Sequence, residues 1–138
     1  MTDSLLDIRG LEIAFETRRG TVRAVNGIDL AVARGEILGV VGESGAGKST
    51  IGNAVMGLLE PPGRRVAGEI RLAGEPVHDL PPEKMRRVRG KRIAMIFQDP
   101  QTSLNPLETI ADQLVTTMRI HLGIGQRKAR AKAIELLE

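Results

Sequence analysis

Nine consecutive residues, Gly42-Glu43-Ser44-Gly45-Ala46-Gly47-Lys48-Ser49-Thr50, combine the side-chain types needed to hold a phosphate group. They fit the pattern G-x-x-x-x-G-K-[ST] with one further glycine inside it. Gly42, Gly45 and Gly47 leave the backbone free to take positive φ, so that N–H groups can converge on phosphate oxygens without interference from a Cβ. A helix beginning at the end of this loop would direct its N-terminal dipole to the same point. Lys48 would then set a mobile ammonium between the β- and γ-phosphates. The Ser49 hydroxyl is sized for the shell of a magnesium ion, and Thr50 can add an α-phosphate contact. The plainer reading, an ordinary glycine-rich turn, loses ground once the flanks are counted.

Those flanks have the required order of strand, loop and helix. Glu36-Ile37-Leu38-Gly39-Val40-Val41 predicts a short buried strand, and residues 49–59 predict a helix. Upstream, the alternation of Leu6, Ile8, Leu11, Ile13 and Phe15, then Val22, Ala24, Val25, Ile28, Leu30 and Val32, predicts two or three antiparallel strands over residues 5–33. Downstream, residues 60–68 read as a loop, 69–72 as a short strand and 82–88 as a short helix entered through Pro81 and Pro82. Residues 91–97 predict a second buried strand, carried by Ile93, Met95 and Ile96. Two helices, 109–122 and 126–138, follow around a break at Gly123-Ile124-Gly125.

Composition narrows the function classes. At 138 residues and 41% apolar content, the chain can build one domain with a real core. It has no cysteine, which excludes disulfides and thiolate metal sites. No apolar run approaches the roughly 18 residues of a membrane span, and Met1-Thr2-Asp3-Ser4 lacks the order of a signal peptide. A soluble chain is therefore expected. Phe15 and Phe97 are the only aromatic rings, so platforms for stacking nucleic-acid bases are not available. Six cations, Lys84, Arg86, Arg87, Arg89, Lys91 and Arg92, fall within nine residues. With no aromatic interleaving they read as a solvated face, and no nucleic-acid partner is expected. His78 and His121 have no partner at ligand spacing and read as surface residues.

Three strings now bear on family. Ala24-Val25-Asn26-Gly27 precedes the loop, Val41-Gly42-Glu43-Ser44-Gly45 lies in it, and Phe97-Gln98-Asp99-Pro100-Gln101-Thr102-Ser103-Leu104-Asn105-Pro106 follows. With them the chain resembles the N-terminal half of an ABC-transporter ATPase subunit, most closely the dipeptide, oligopeptide and nickel importer group. The resemblance implies ATP and Mg2+ as cofactors. It also implies membrane-spanning permease subunits and a second ATPase subunit as partners, at the cytoplasmic face of the inner membrane. It makes Gln98 the Q-loop glutamine, reaching the magnesium ion and the attacking water, a role that suits an amide able both to donate and to accept. It sets Phe15 at the adenine-stacking position, where a phenylalanine keeps the π-face; a core ring at a strand end is the alternative.

Other parts of that family's pattern are not found. No Leu-Ser-Gly-Gly-Gln signature, no apolar run ending in Asp-Glu after position 100 and no switch histidine can be recognised. Leu122-Gly123-Ile124-Gly125-Gln126 imitates the signature, but glycine replaces the serine and isoleucine a required glycine. A compact P-loop NTPase with Asp99 as its acidic residue, or a module that only binds nucleotide, stays open. The expected fold is α/β, a partial P-loop core of the ABC ATPase type. Residues 1–35 are expected to form an antiparallel β-region, 36–99 the phosphate-loop core, and 100–138 the start of a helical subdomain. ATP binding without efficient hydrolysis is expected.

Overall fold

The computed structural model describes residues 4–98 and 104–138. The protein is α/β, and its residues group into two compact units, 1–85 and 86–138. In the first unit four strands lie side by side in the order β2-β1-β3-β4, with every pairing antiparallel and β3 crossing over to pair with β1. These strands are β1 (Ser4–Thr17), β2 (Gly20–Ala33), β3 (Gly63–Leu72) and β4 (Glu75–Pro76). β1 lies in the middle, and its inward residues Ile8, Leu11, Ile13 and Ala14 are almost fully buried with Val25 of β2 and Ile70 and Leu72 of β3. The ladder of β1 with β2 shifts register at four places, one of them between Ile8 and Leu11, where the spacing of the buried residues also departs from strict alternation. Gly68 (φ +88°) is required close by, because a Cβ on it would overlap the Gly10 carbonyl.

The first two strands match the alternation seen in the sequence. β3 is longer than expected, since residues 63–68 were predicted as loop. Pairing of Phe15 with Gly63 and Ala14 with Arg64 extends the ladder, and Arg64 forms an ion pair with Glu16 at 2.9 Å. Helix α1 (Lys48–Val55) follows the glycine loop and stops short of position 59. The Gly57 N–H turns back to the Ala54 carbonyl in a 3.0 Å bond and Gly57 itself has φ +61°, which closes the helix.

The two predicted buried strands are not formed. Residues 36–43 run without any strand assignment, and Ile37 and Val41 are 97% and 95% exposed. Among the described residues no strand pairs with this run, so an apolar sequence of the right composition has no ladder to join. Residues 91–97 behave likewise: Ile93 makes a single bridge to Arg89, and Ile96 is 95% exposed.

Helix α2 (Pro82–Val88) runs across the boundary between the units and buries Met85 and Val88. The second unit is a helical hairpin of α3 (Ile110–Leu122) and α4 (Gln126–Glu135). Thr109 caps α3: its hydroxyl accepts from the Asp112 N–H at 3.1 Å and donates to the Asp112 carboxylate at 2.7 Å. Gly123 (φ +64°) ends the helix, its N–H bonding to the Arg119 carbonyl. Val115 and Met118 of α3 close on Ala129 and Ala133 of α4, with Leu114 and Ile124 at the edge.

Candidate functional site

The glycine loop is positioned from below by β2. A Cβ on Gly47 would stand 2.6 Å from the Ala24 carbonyl oxygen and 3.4 Å from Val25 Cγ2. Gly47 also has φ +83° and begins α1, its carbonyl accepting from the Ile51 N–H at 3.0 Å. Only glycine satisfies both the close approach and the left-handed backbone. Val25 is itself buried and paired with Ile13 of the central strand, so the floor under the loop is part of the core.

Lys48 folds back over the loop it follows. Its Nζ donates to the carbonyls of Gly42 and Glu43, both at 2.6 Å, and its aliphatic stem passes beside Gly42. Within the loop the Ala46 N–H bonds to the Glu43 carbonyl at 3.2 Å. Ser44 and Gly45 form the exposed outer turn. Lys48, Ser49 and Thr50 occupy the first turn of α1, where backbone N–H groups have no intrahelical acceptor. Ser49 is exposed and Thr50 half-buried. The first turn carries no acidic residue to compete for those donors. The first-turn amides of α1 and the Lys48 ammonium lie at the end of the glycine loop, donors of a kind that suits an anion with several oxygens. Ser49 and Thr50 give this turn two side-chain hydroxyls.

Phe15 lies on β1 opposite Val22 and Gly63 and is half-buried. One edge of its ring packs on Gly63, where a Cβ would stand 2.6 Å from Phe15 Cε1. Gln98 is described in the second unit, in an exposed bend that follows the irregular run 94–97. Asp99 and residues 100–103 of the string after it lie outside the described residues. The tail of that string is anchored: Gln113 of α3 accepts from the Asn105 N–H and donates to the Asn105 carbonyl, both at 3.1 Å.

His78 is not the surface residue expected. Its side chain is 13% exposed, with Nδ1 lying 3.1 Å from both the amide nitrogen and the carbonyl oxygen of Ile70. Val77 has already taken that carbonyl at 3.0 Å. An imidazole that accepts from the Ile70 N–H therefore completes the ladder where β4 ends. The sequence carried no spacing signal for this role, nor for the Ala24 carbonyl as the floor under Gly47.

Residues 25–138 match the family model described as "ABC transporter". The chain belongs to the ABC transporter family. Within that family it is 46% identical over its whole length to the probable D,D-dipeptide transport ATP-binding protein DdpD of Escherichia coli (strain K12), covering 42% of that protein. It is 43% identical over 97% of its length to the oligopeptide transport ATP-binding protein OppD of Bacillus subtilis (strain 168), covering 38% of it. The chain thus spans about two fifths of the length of these curated relatives. A dimeric structure of MJ0796, a bacterial ABC transporter cassette, superposes with a TM-score of 0.79 at 22% identity, over 94% of this chain and 54% of that one. The α/β fold is that of an ABC cassette.

Proposed function

We propose that this chain is the ATP-binding portion of an ABC importer subunit that powers uptake of peptides or a related small solute. The observation that carries this reading is the Lys48 ammonium, held over the cradle by Gly42 and Glu43 at the mouth of α1. The relatives named for dipeptide and oligopeptide transport support the choice of solute class.

In this reading Gly42, Glu43, Ser44, Gly45, Ala46 and Gly47 wrap the phosphate chain with backbone amides, and Lys48 exchanges its loop carbonyls for phosphate oxygens. Ser49 and Gln98 would hold Mg2+, which when bound neutralises phosphate charge and polarises the terminal phosphoryl group. Thr50 lies on the α-phosphate side, and Phe15 offers the exposed part of its ring to the adenine. Permease subunits and a second ATPase subunit are the partners, at the cytoplasmic face of the membrane. No helix among the described residues is long and apolar enough to cross a membrane itself.

The 138-residue chain is expected to bind Mg-ATP and to release phosphate at a rate near background. A clamp made of Gly47, Lys48 and Ser49 fixes the nucleotide, but orienting and polarising a water needs further groups that act together with it. Calorimetry tests the reading. Lys48→Ala removes a charge-assisted contact of about 1.5–3 kcal/mol and should weaken Mg-ATP binding by at least tenfold. Equal affinity of the two proteins would end the proposal. Turnover near 1 s⁻¹, roughly the low end for enzymes, that Asp99→Asn abolishes would instead favour a compact NTPase.

A further inference from the structure

Away from the glycine loop, a cavity of about 330 Å³ opens between the last turn of α1, β3 and the residues that follow β4. Its floor is apolar: Ala54 of α1 and Ile70 of β3 are buried, and Leu59 is half-buried. Its rim carries Arg64, Arg65, His78 and Asp79. All of these residues belong to the first unit. An apolar floor with a few polar groups at the edge, in a volume near the small end of the range, is the usual make-up of a small-molecule site.

Arg65 and Asp79 join on this rim at 2.6 Å, with side chains 26% and 72% exposed. An ion pair so open to water adds little to folding, yet further contacts hold both of its members in place. Arg65 also donates to the Gly68 carbonyl at 2.6 Å. His78 steadies the other side: its Nδ1 accepts from the Ile70 N–H, which puts the proton of the neutral ring on Nε2, 3.3 Å from the second Asp79 oxygen. The pair is thus a pre-oriented dipole beside an apolar floor, and it is not saturated. Among the described residues the Arg65 Nε–H has no acceptor, and Arg64 next to it engages only Glu16, through Nη2. Each Asp79 oxygen keeps a lone pair for another donor.

We infer that this cavity binds a free α-amino acid with an aliphatic side chain. Such a molecule carries its carboxylate and ammonium side by side on one carbon, a spacing that matches an Arg–Asp pair laid head to tail against it. The carboxylate takes the Arg65 Nε–H and the unused donors of Arg64, the ammonium takes Asp79, and the aliphatic side chain covers Ala54, Leu59 and Ile70. A simple carboxylate would meet the Asp79 charge with nothing to offset it, and a simple amine would meet the two arginines, so neither half fits alone. Lys48 stands at the opposite end of α1, so amino-acid binding needs no nucleotide.

The test is NMR titration of the 138-residue chain, without nucleotide, with L-leucine, isocaproate and isoamylamine. Leucine should shift the signals of Ala54, Leu59 and Ile70 and saturate with a dissociation constant of about 1 mM or tighter, a range open to so small a ligand. Isocaproate lacks the ammonium and isoamylamine the carboxylate. Each should bind at least about tenfold more weakly, the contribution of one charge-assisted bond. Asp79→Asn, at an exposed position, should weaken leucine by a similar factor. Arg65→Lys should do the same, because it keeps the charge but not the Nε–H. If Arg65→Lys melts early, Asp79→Asn and the ligand series still decide. Isocaproate binding as tightly as leucine, leucine binding unchanged in Asp79→Asn, shifts confined to residues away from the cavity, or no saturation by leucine would each overturn the inference.

Discussion

Gly47 and Ala24 are locked by distance: the space where a Cβ of residue 47 would sit is 2.6 Å from the Ala24 carbonyl oxygen. The start of α1 therefore rests directly on the backbone of β2. Gly47→Ala has to open this contact and also adopt φ +83°, a left-handed backbone that costs an alanine about 1–2 kcal/mol. Thermal melting should register the strain as a drop of several degrees, and nucleotide affinity should fall with it because the loop is lifted from its floor. A variant as stable as wild type would show that the loop is not braced by the sheet.

For Phe15 the contact with Gly63 and the half-exposed ring lead to a split outcome. Phe15→Ala should weaken ATP and GTP alike, since a π-face discriminates little between bases, and the two nucleotides should bind wild type within about tenfold of one another. Melting should fall as well, because the ring is also a packing element on β3. A loss of stability with both affinities intact would assign the ring to the core alone.

The run 36–43 makes a prediction about association. Ile37 and Val41 present nearly their whole side chains to solvent, on backbone that no described strand pairs. Such segments seek partners. Light scattering at high concentration should detect dimers or larger species, and Ile37→Lys with Val41→Lys should shift the distribution toward monomer. A monodisperse monomer before any substitution would count against it.

Glu16 gives a pH dependence. The Thr21 hydroxyl donates to its carboxylate at 2.7 Å and Arg64 at 2.9 Å, and these bonds, the hydroxyl first, hold its pKa below the ordinary glutamate range. Depressed in the folded state, the group contributes stability that is fully present above the unfolded value of about 4.3 and is lost as pH falls through the folded value. Side-chain NMR titration should find Glu16 below the exposed glutamates, and Thr21→Ala should raise it more than Arg64→Ala. The reverse order would contradict the geometry.

Much of this was legible in the residues. β1 and β2 announce themselves by alternation because their pairing is local and one face is buried, as Ile8, Ile13 and Val25 show. α3 is written in Thr109, Asp112 and Gly123, since caps act within a few residues. The glycine loop is equally local. What failed is what depends on a neighbour. Residues 37–41 and 93–97 have the composition of buried strands, but a strand exists only where another backbone accepts its hydrogen bonds. Residues 63–68 erred in the opposite direction: Arg64 and Gly63 look like loop until Phe15 and Glu16 supply the partner. His78 was unreadable for the same reason, because nothing in its own surroundings tells that the Ile70 amide needs an acceptor.

The two 2.6 Å bonds from Lys48 to Gly42 and Glu43 set a threshold for what this cradle can take up. An arriving anion does not add to a vacant charge; it must exchange for ligands the loop already provides. A small monovalent anion offers too few oxygens to make that exchange favourable, since the carbonyls it displaces are as close and already oriented. A polyphosphate can replace both carbonyls and engage the amides of α1 in the same event. On the proposed nucleotide-binding reading, the resting conformation of one side chain would then favour chains of phosphate over simple anions.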